Sequence, residues 1–326
     1  PISMNDSSIM LEELVVTAMG IKKERKALGY AVQDVKSEEL MKSKTSNILN
    51  SLTGKIAGVN ITQAGGSAGA GAQIIIRGGT SLERDNQPLF VVDGVIYDNS
   101  TSAGGNSGFD GMTRTASTSG NRIMDINPED IENVSVLKGL AASALYGSRA
   151  AAGAIMITTK KGKAGDMKIN FNSKFTASWA NRLPEQQEMY KRGRYNNAGT
   201  FTDFTTESWG DKFGSNDVMY NNIADFFQTS TIYDNNISVS GGNERGTFFL
   251  SAGRFDQKGI VPETGFDKTT FRFNGEQKRG KLTVGANVAY SVANTQKTLT
   301  SSGLWDAGGN GAMQSVYTWA RSEDMS

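Results

Sequence analysis

The strictest constraint on this chain lies in its second half, where apolar and polar residues alternate over two unusually long stretches. In Lys168–Ala180, the apolar side chains Ile169, Phe171 and Phe175 fall on one face of an extended strand, and lysine, asparagine, serine and threonine fall on the other. Leu282–Val292 repeats the pattern. Strands of a soluble β-sandwich also alternate, but these stretches are long for a sandwich and suit a tilted membrane strand. The pattern favours an outer-membrane barrel and leaves the sandwich as the alternative.

Three further strands are predicted between these two, at Asn236–Ser240, Thr247–Phe255 and Thr270–Gly275. Tight connections join the second strand to the third and the fourth to the fifth, whereas the other connections are long. Short turns on one side and long loops on the other are typical of outer-membrane barrels, and Trp179 at a strand end fits an aromatic girdle. Such barrels need about eight strands or more to close. We therefore expect the sequence to be the N-terminal part of a longer chain.

The first half has mixed α/β character, and the aromatic residues shift toward the second half, where all 4 tryptophans lie. We place the boundary between the halves at 160–165, a linker of lysine, glycine and alanine. The predicted elements are strands or hairpins and short helices capped by asparagine or glycine. They are a strand at 30–35, a helix at 46–57, strands at 59–62 and 73–77, a hairpin at 88–98 that turns at Asp93-Gly94, a short helix opened by Asn127-Pro128, and a strand, helix and strand at 134–137, 141–146 and 154–159.

The composition excludes several kinds of site. The chain has no histidine and no cysteine, so zinc sites, disulfides, thiol nucleophiles and histidine bases are ruled out, and an enzyme is disfavoured. Its net charge is +1, and no basic stripe with interleaved aromatics predicts nucleic-acid binding. No apolar run reaches the roughly 18 residues of a transmembrane helix. No cofactor or metal site is predicted.

Four segments resemble the SusC/RagA type of TonB-dependent outer-membrane receptor. They are LEELVVTAMG (11–20), QIIIRGGTSLERDNQPLFVVDGVIYD (73–98), INPEDIENVSVLKGLAASALYGSRAAAGAIMITTKKGK (126–163) and NNISVSGGNERGTFFLSAGRFDQKGIVPET (235–264). One departure is Ala152, where such receptors usually carry asparagine before the glycine. The resemblance implies an α+β plug domain followed by the N-terminal strands of a transmembrane antiparallel β-barrel of about 22 strands. It implies residues 1–28 as TonB box and linker, 29–162 as plug, and 163–326 as the first part of the barrel with long extracellular loops.

The resemblance also gives a role to a short strand-like stretch near the N-terminus. This stretch would be the TonB box, which adds to the sheet of the TonB C-terminal domain by β-augmentation. A docking segment must stay unpaired until it is needed, and the charged run Lys22–Lys26 is expected to be solvated and to keep it accessible. The predicted box residues are Glu12, Glu13, Leu14, Val15, Val16 and Thr17. The alternative is an ordinary edge strand or tail.

Two further groups of residues are predicted from their positions in such a receptor. Arg77 and Arg149 are charges among apolar or small residues. Glu276 extends an inward row with Arg272 and Asn274, since Phe271 and Phe273 are expected to point outward. Arg77, Arg149 and Glu276 are therefore expected to form a latch between plug and barrel; the alternative is that each arginine fixes only a local loop. The Gly/Ser/Thr-rich loop 99–121 is expected to face the cargo, or otherwise to make no contacts. Its candidate contact residues are Asn99, Ser100, Asn106, Asp110, Arg114 and Asn121.

The implied function is active import across the outer membrane of a Gram-negative cell, with plug and box accessible from the periplasm. The implied partners are TonB with its inner-membrane proton-driven motor, outer-membrane lipid and a SusD-like surface lipoprotein. The cargo would be an oligosaccharide, or in some members a peptide. A siderophore or cobalamin receptor without a lid is the alternative within the family, and a β-rich surface adhesin is the alternative outside it.

Overall fold

The computed structural model describes residues 14–16, 22–24, 32–42, 48–63, 68–69, 71–78, 86–99, 122–203, 207–298 and 312–325. Within these ranges, no helix is long and apolar enough to cross a membrane. Two sheets dominate the structure, one in each half of the chain.

The first half forms an α+β domain around a mixed five-stranded sheet. The strands are β3 (Val32–Lys36), β4 (Val59–Gln63), β5 (Ala72–Ile76), β6 (Leu89–Val92), β7 (Val95–Tyr97), β8 (Ile131–Leu137) and β9 (Ala154–Thr159). The sheet order is β3-β8-β9-β6-β7, and β4 and β5 pair separately as an antiparallel ribbon. The helices are α1 (Ser37–Lys42), α2 (Ile48–Ser51) and α3 (Leu140–Tyr146), with 3₁₀ turns at Arg122–Asp125, Pro128–Asp130 and Gly147–Ala150.

Most predicted elements of this domain are present, with two differences. The helix expected at 46–57 is α-helical only over α2 and continues as turns up to Gly58, whose φ of +71° suits glycine. Helix α1 was not predicted from the sequence. The Asn127 cap is confirmed, since its side chain accepts a hydrogen bond from the backbone N–H of Glu129 at 3.0 Å. The core of the domain is built from aliphatic side chains of β5, β8, β9 and α2 together with Phe90.

The second half forms an antiparallel five-stranded sheet, which we call the wall. Its strands are β10 (Gly165–Ser178), β14 (Ser230–Asn243), β15 (Gly246–Lys258), β16 (Gly265–Arg279) and β17 (Leu282–Gln296), in sheet order β10-β14-β15-β16-β17. Two-residue turns join β14 to β15 and β16 to β17, as the tight connections in the sequence indicate. Each strand runs in continuous register with its neighbour over almost its whole length.

The wall exposes apolar side chains on one face and covers polar side chains on the other. Phe171 and Tyr290 are 66% and 64% exposed, whereas Arg272 and Thr270 are each 6% exposed. A soluble sandwich would bury its apolar face, so the arrangement is that of a barrel wall, which is apolar toward lipid and polar toward the lumen. The prediction of barrel strands over a sandwich is confirmed. The five strands form an open sheet, and the α+β domain lies against its polar face.

The long connections at one edge of the wall carry structure of their own. They contain β11 (Gly193–Tyr195), β12 (Phe201–Thr202), β13 (Ser208–Trp209), α4 (Asn222–Phe226) and, after β17, α5 (Ala312–Thr318). Asn222 joins the two connections, because its buried side-chain amide donates to the backbone carbonyls of Ala320 (3.1 Å) and Glu323 (2.8 Å).

The stretch predicted as a TonB box is paired within the chain. Strand β1 (Leu14–Val16) forms an antiparallel pair with β2 (Lys22–Glu24), with Val15 opposite Lys23. The expectation that this strand has no partner within the chain is therefore wrong. Glu12, Glu13 and Thr17 lie outside the described residues.

Candidate functional site

The polar face of β16 meets the α+β domain along one row of alternating residues. We call Lys268, Thr270, Arg272 and Asn274 the plug-facing row, and all four are buried. The phenylalanines between them, Phe271 and Phe273, point to the exposed face, as the sequence predicted. Lysine and arginine are almost never buried without partners, so this row must be matched by acceptors on the domain opposite.

The Arg272 guanidinium binds a carboxylate at the tip of the β6–β7 hairpin. Arg272 Nη2 donates to Asp93 Oδ2 at 2.7 Å, to the Thr159 hydroxyl and to Asn287 Oδ1 at 2.9 Å. Asp93 also accepts from the Thr159 backbone N–H (2.9 Å), the Thr159 hydroxyl (2.6 Å) and Asn287 Nδ2 (2.9 Å). We call these four residues the Arg272 network, and they join the hairpin, the end of β9 and two strands of the wall.

The local sequence explains why a carboxylate stands at this point. Asp93 and Gly94 form a two-residue turn between β6 and β7, with φ values of +49° and +88°. A two-residue hairpin with positive φ at both positions favours aspartate followed by glycine. The turn therefore favours aspartate or asparagine at this position, and the aspartate found here places its carboxylate at the hairpin tip, against the wall.

The ion pair at the centre of the Arg272 network is largely shielded from water, whereas Asn287 at its edge is exposed. The side chains of Arg272 and Asp93 are 7% and 15% exposed. An ion pair this buried is costly to break from one side, since the remaining charge stays desolvated, at about 3–5 kcal/mol. The contact therefore holds the domain against the wall as long as both charges are present.

A second group of polar contacts surrounds the capped turn at 127–130. The buried Lys268 ammonium donates to the backbone carbonyls of Met124 (2.6 Å) and Ile126 (3.3 Å). Asn127 Nδ2 lies 3.3 Å from the Thr270 hydroxyl. Lys268 and Thr270 of the plug-facing row therefore also bind the α+β domain, as Arg272 does.

A small apolar cluster completes the contact toward the long-loop edge of the wall. Ala68 and Met124 of the domain pack with Phe255 and Phe266 of the wall. Gly69 has φ +67°, and a Cβ there would lie 2.7 Å from the Phe266 ring. The interface therefore combines ion pairing, hydrogen bonds to backbone and close apolar packing.

The predicted latch residues are not brought together by the structure. Arg77 and Arg149 have exposed side chains, and within the described ranges neither has a hydrogen bond or ion pair to the wall. Arg77 has φ +58° and lies near Gly139. Glu276 lies on the predicted row but pairs with Lys278 of its own strand, Nζ to Oε1 at 3.2 Å. The charged contact is carried by Asp93 and Arg272 instead. Sequence reasoning placed Arg272 in the inward row and Asp93 in the turn, but did not connect them.

Of the residues predicted for the cargo-facing loop, only Asn99 is described. Its Oδ1 accepts from the backbone N–H of Ile123 at 3.0 Å, and its Nδ2 donates to Gln87 Oε1 at 3.3 Å. Asn99 therefore ties the two ends of the loop together. Ser100, Asn106, Asp110, Arg114 and Asn121 lie outside the described residues.

Comparison with known proteins assigns the chain. Residues 24–154 match the TonB-dependent Receptor Plug Domain family. The TonB-dependent receptor SusC of Bacteroides thetaiotaomicron is 35% identical over 83% of this chain and 25% of its own length. The chain belongs to the SusC/RagA group of TonB-dependent receptors. Its α+β domain is the plug, and the wall is the first part of the transmembrane barrel.

Solved structures agree with this assignment. The RagAB peptide importer in the open-open state matches this receptor with a TM-score of 0.68 and 25% identity, over 92% of this chain and 36% of that one. The siderophore receptor PirA from Acinetobacter baumannii matches with a TM-score of 0.51 and 19% identity, over 81% of this chain and 32% of that one, which shows the shared fold alone. These relatives are receptors and transporters of the outer membrane rather than enzymes. The chain spans about a quarter of the curated relative's length.

Proposed function

We propose that the full-length receptor imports oligomeric nutrients across the outer membrane, powered through TonB. The observation that supports this best is the plug-facing row. A lumen-side strand holds buried cations whose acceptors lie on the plug, so plug and barrel are joined by polar contacts that water can replace once they part. Such an interface suits a plug that must be held at rest and displaced during transport.

Force would enter through the N-terminal segment. The outer membrane has no ATP and no ion gradient, so the energy must come from the inner membrane through TonB. We propose Glu12–Thr17 as the TonB box. In this view β1 exchanges its partner β2 for a strand of TonB, which is β-augmentation with a local competitor. Lys22–Glu24 would then set a threshold for TonB binding.

The cargo is proposed from two of the matched relatives. We infer an oligosaccharide from the similarity of this chain to SusC. The RagAB structure is that of a peptide importer, which makes a peptide the second candidate. We propose an oligosaccharide as cargo, with a peptide as the second candidate, and a SusD-like lipoprotein as the surface partner. The loop 99–121, with its ends tied by Asn99, is proposed to face the cargo.

The test of the proposed energy coupling is deletion of Glu12–Thr17 in the full-length receptor. We expect uptake to be abolished, while cargo binding at the surface and heat-modifiable migration on a gel are retained. Deletion of six residues at 2–7 is the length-matched control and is expected to leave uptake unchanged. Normal uptake without Glu12–Thr17 would refute the proposed box.

The test of cargo and partner is purification of the full-length receptor from native outer membranes in mild detergent, followed by mass spectrometry. A co-purifying surface lipoprotein with glycan or peptide would support the lidded importer and identify the cargo class. A receptor without a lipoprotein but with a small metal chelate would instead support the siderophore-type alternative.

A further inference from the structure

Asp130 is a buried carboxylate on the plug side of the interface. It belongs neither to the Arg272 network nor to the contacts of Lys268 and Thr270. It ends the capped turn at 127–130, and its backbone carbonyl accepts from Lys160 N–H at 2.8 Å. The residue is 4% exposed, and its Oδ1 has no hydrogen-bond partner within the described part of the chain. Leaving a buried charged oxygen without a donor costs free energy relative to water.

The surroundings of Asp130 are shared with the Arg272 network. Ser251 of β15 lies directly opposite Arg272 of β16. From the wall, the Ser251 side chain hydrogen-bonds to the Asp130 carboxylate, and the positive charge of Arg272 attracts it. Lys160 and Glu129 face it from the plug, one of each charge. Arg272 itself is directed to Asp93 through Nη2, and its Nε has no partner among the described residues. The wall cation that acts on Asp130 is therefore committed to another carboxylate.

Burial dominates the balance of these influences. Desolvation raises the pKa of the Asp130 carboxyl above its ordinary 3.8, and Ser251, Arg272 and Lys160 only partly offset this, while Glu129 adds to it. A carboxyl whose pKa is higher in the docked plug than in water favours docking below pH 3.8, and this contribution is lost as the pH rises through the docked pKa. The ionised form of the Asp130 carboxyl therefore opposes docking.

From this geometry we propose that the buried Asp130 carboxylate weakens plug docking, so that TonB does less work to displace the plug. The proposal rests on the proposed function, in which the plug is displaced. The Arg272 network holds the plug, and the desolvated carboxylate beside it keeps the docked state below its maximum stability. When the plug leaves the wall, water solvates Asp130 and the cost is recovered.

The test measures docking in the full-length receptor in outer-membrane vesicles, without cargo or TonB. Residues 1–326 contain no cysteine, and any cysteine elsewhere in the full-length receptor is replaced by serine for this test. Asn274→Cys in the plug-facing row then provides a single thiol whose labelling by a small water-soluble reagent reports plug opening. We expect Asp130→Asn to slow this labelling severalfold at pH 7. The labelling rate at each pH is divided by that of the denatured receptor at the same pH, which removes the effect of thiol ionisation. In the Asp130 receptor this ratio should fall on acidification from neutral pH, and Asp130→Asn should remove that part of the pH dependence.

Two comparisons keep the proposal falsifiable. Glu129→Gln changes the adjacent carboxylate, which accepts from Asn172 Nδ2 of the wall at 3.1 Å, and is expected to give no slowing. Faster labelling in Asp130→Asn would show that the carboxylate stabilises docking and would overturn the proposal. If Asp130→Asn fails to assemble, the pH dependence of the Asp130 receptor decides, and a labelling rate that does not fall on acidification relative to the denatured receptor at the same pH overturns the proposal. Because neither measurement involves uptake, failure here is distinct from failure of the importer proposal.

Discussion

Replacing Asp93 by asparagine should release the plug from the wall without altering the hairpin that carries it. Asparagine is nearly isosteric and accepts positive φ about as readily as aspartate, so the turn at φ +49° is kept. The change leaves Arg272, 7% exposed, without its carboxylate. Breaking a buried pair from one side costs about 3 kcal/mol or more, which corresponds to about a 100-fold larger population of undocked plug.

The assay is the labelling rate of the Asn274→Cys thiol in the full-length receptor, compared with and without the Asp93→Asn substitution. When plug opening is fast relative to labelling, the rate is proportional to the open population, so we expect it to rise about 100-fold. A double-mutant cycle with Arg272→Gln should return a coupling free energy that shows the Asp93–Arg272 pair to stabilise docking, because the two residues are in direct contact.

The matched control is Asp267→Asn, which also removes a carboxylate from an arginine on the wall. Asp267 Oδ2 lies 3.0 Å from Arg254 Nη1, but the two side chains are 32% and 50% exposed. An exposed pair contributes about 0–1 kcal/mol, so labelling should rise by no more than about fivefold. If Asp93→Asn changes labelling no more than this control, the Arg272 network does not hold the plug.

Three further predictions concern the wall and its contacts. Lys268→Met should leave two plug carbonyls without their donor and loosen docking by about 1–3 kcal/mol, read by the same labelling assay, and an unchanged rate would show that water replaces the ammonium. Gly69→Ala should push against the Phe266 ring, which would lie 2.7 Å from the new Cβ, and lower docking stability by about 1–3 kcal/mol; docking equal to that of the glycine receptor would mean that the loop yields freely. Tyr290→Arg, at a position 64% exposed, should destabilise membrane assembly by about 2–4 kcal/mol if it faces the bilayer midplane, seen as loss of heat-modifiable migration, whereas normal migration would place Tyr290 outside the lipid.

The wall was the most predictable part of the structure. A strand with lipid on one side and a polar lumen on the other has apolar and polar residues in alternation, and this alternation is visible in the sequence. Lys168–Ala180 and Leu282–Val292 correspond closely to β10 and β17. The middle strands were predicted too short. Strand β14 runs over Ser230–Asn243, although Asp234-Asn235-Asn236 carries no apolar alternation. Pairing on both sides fixes such residues in the strand, and pairing is not visible in one sequence.

The turn chemistry of the plug was also predictable, since Asp93-Gly94 and Asn127-Pro128 specify local backbone geometry. What those residues contact was not. Asp93 and Arg272 are 179 positions apart, and the chain offers many carboxylates and arginines that could pair. The choice of Arg77 and Arg149 rested on charges among apolar or small residues, a pattern that local loop geometry also produces.

In the proposed transport mechanism, the plug must part from the wall for cargo to pass. The most direct measurement is uptake by the full-length receptor carrying Asn127→Cys and Thr270→Cys, whose natural side chains approach to 3.3 Å across the interface. A short, reducible crosslinker would join the two thiols, and each single cysteine variant treated in the same way is the control. We predict that crosslinking stops uptake, retains cargo binding at the surface, and is reversed by reductant. Uptake that continues while the crosslink is intact would show that cargo passes with this part of the plug fixed to the wall, and would contradict the account.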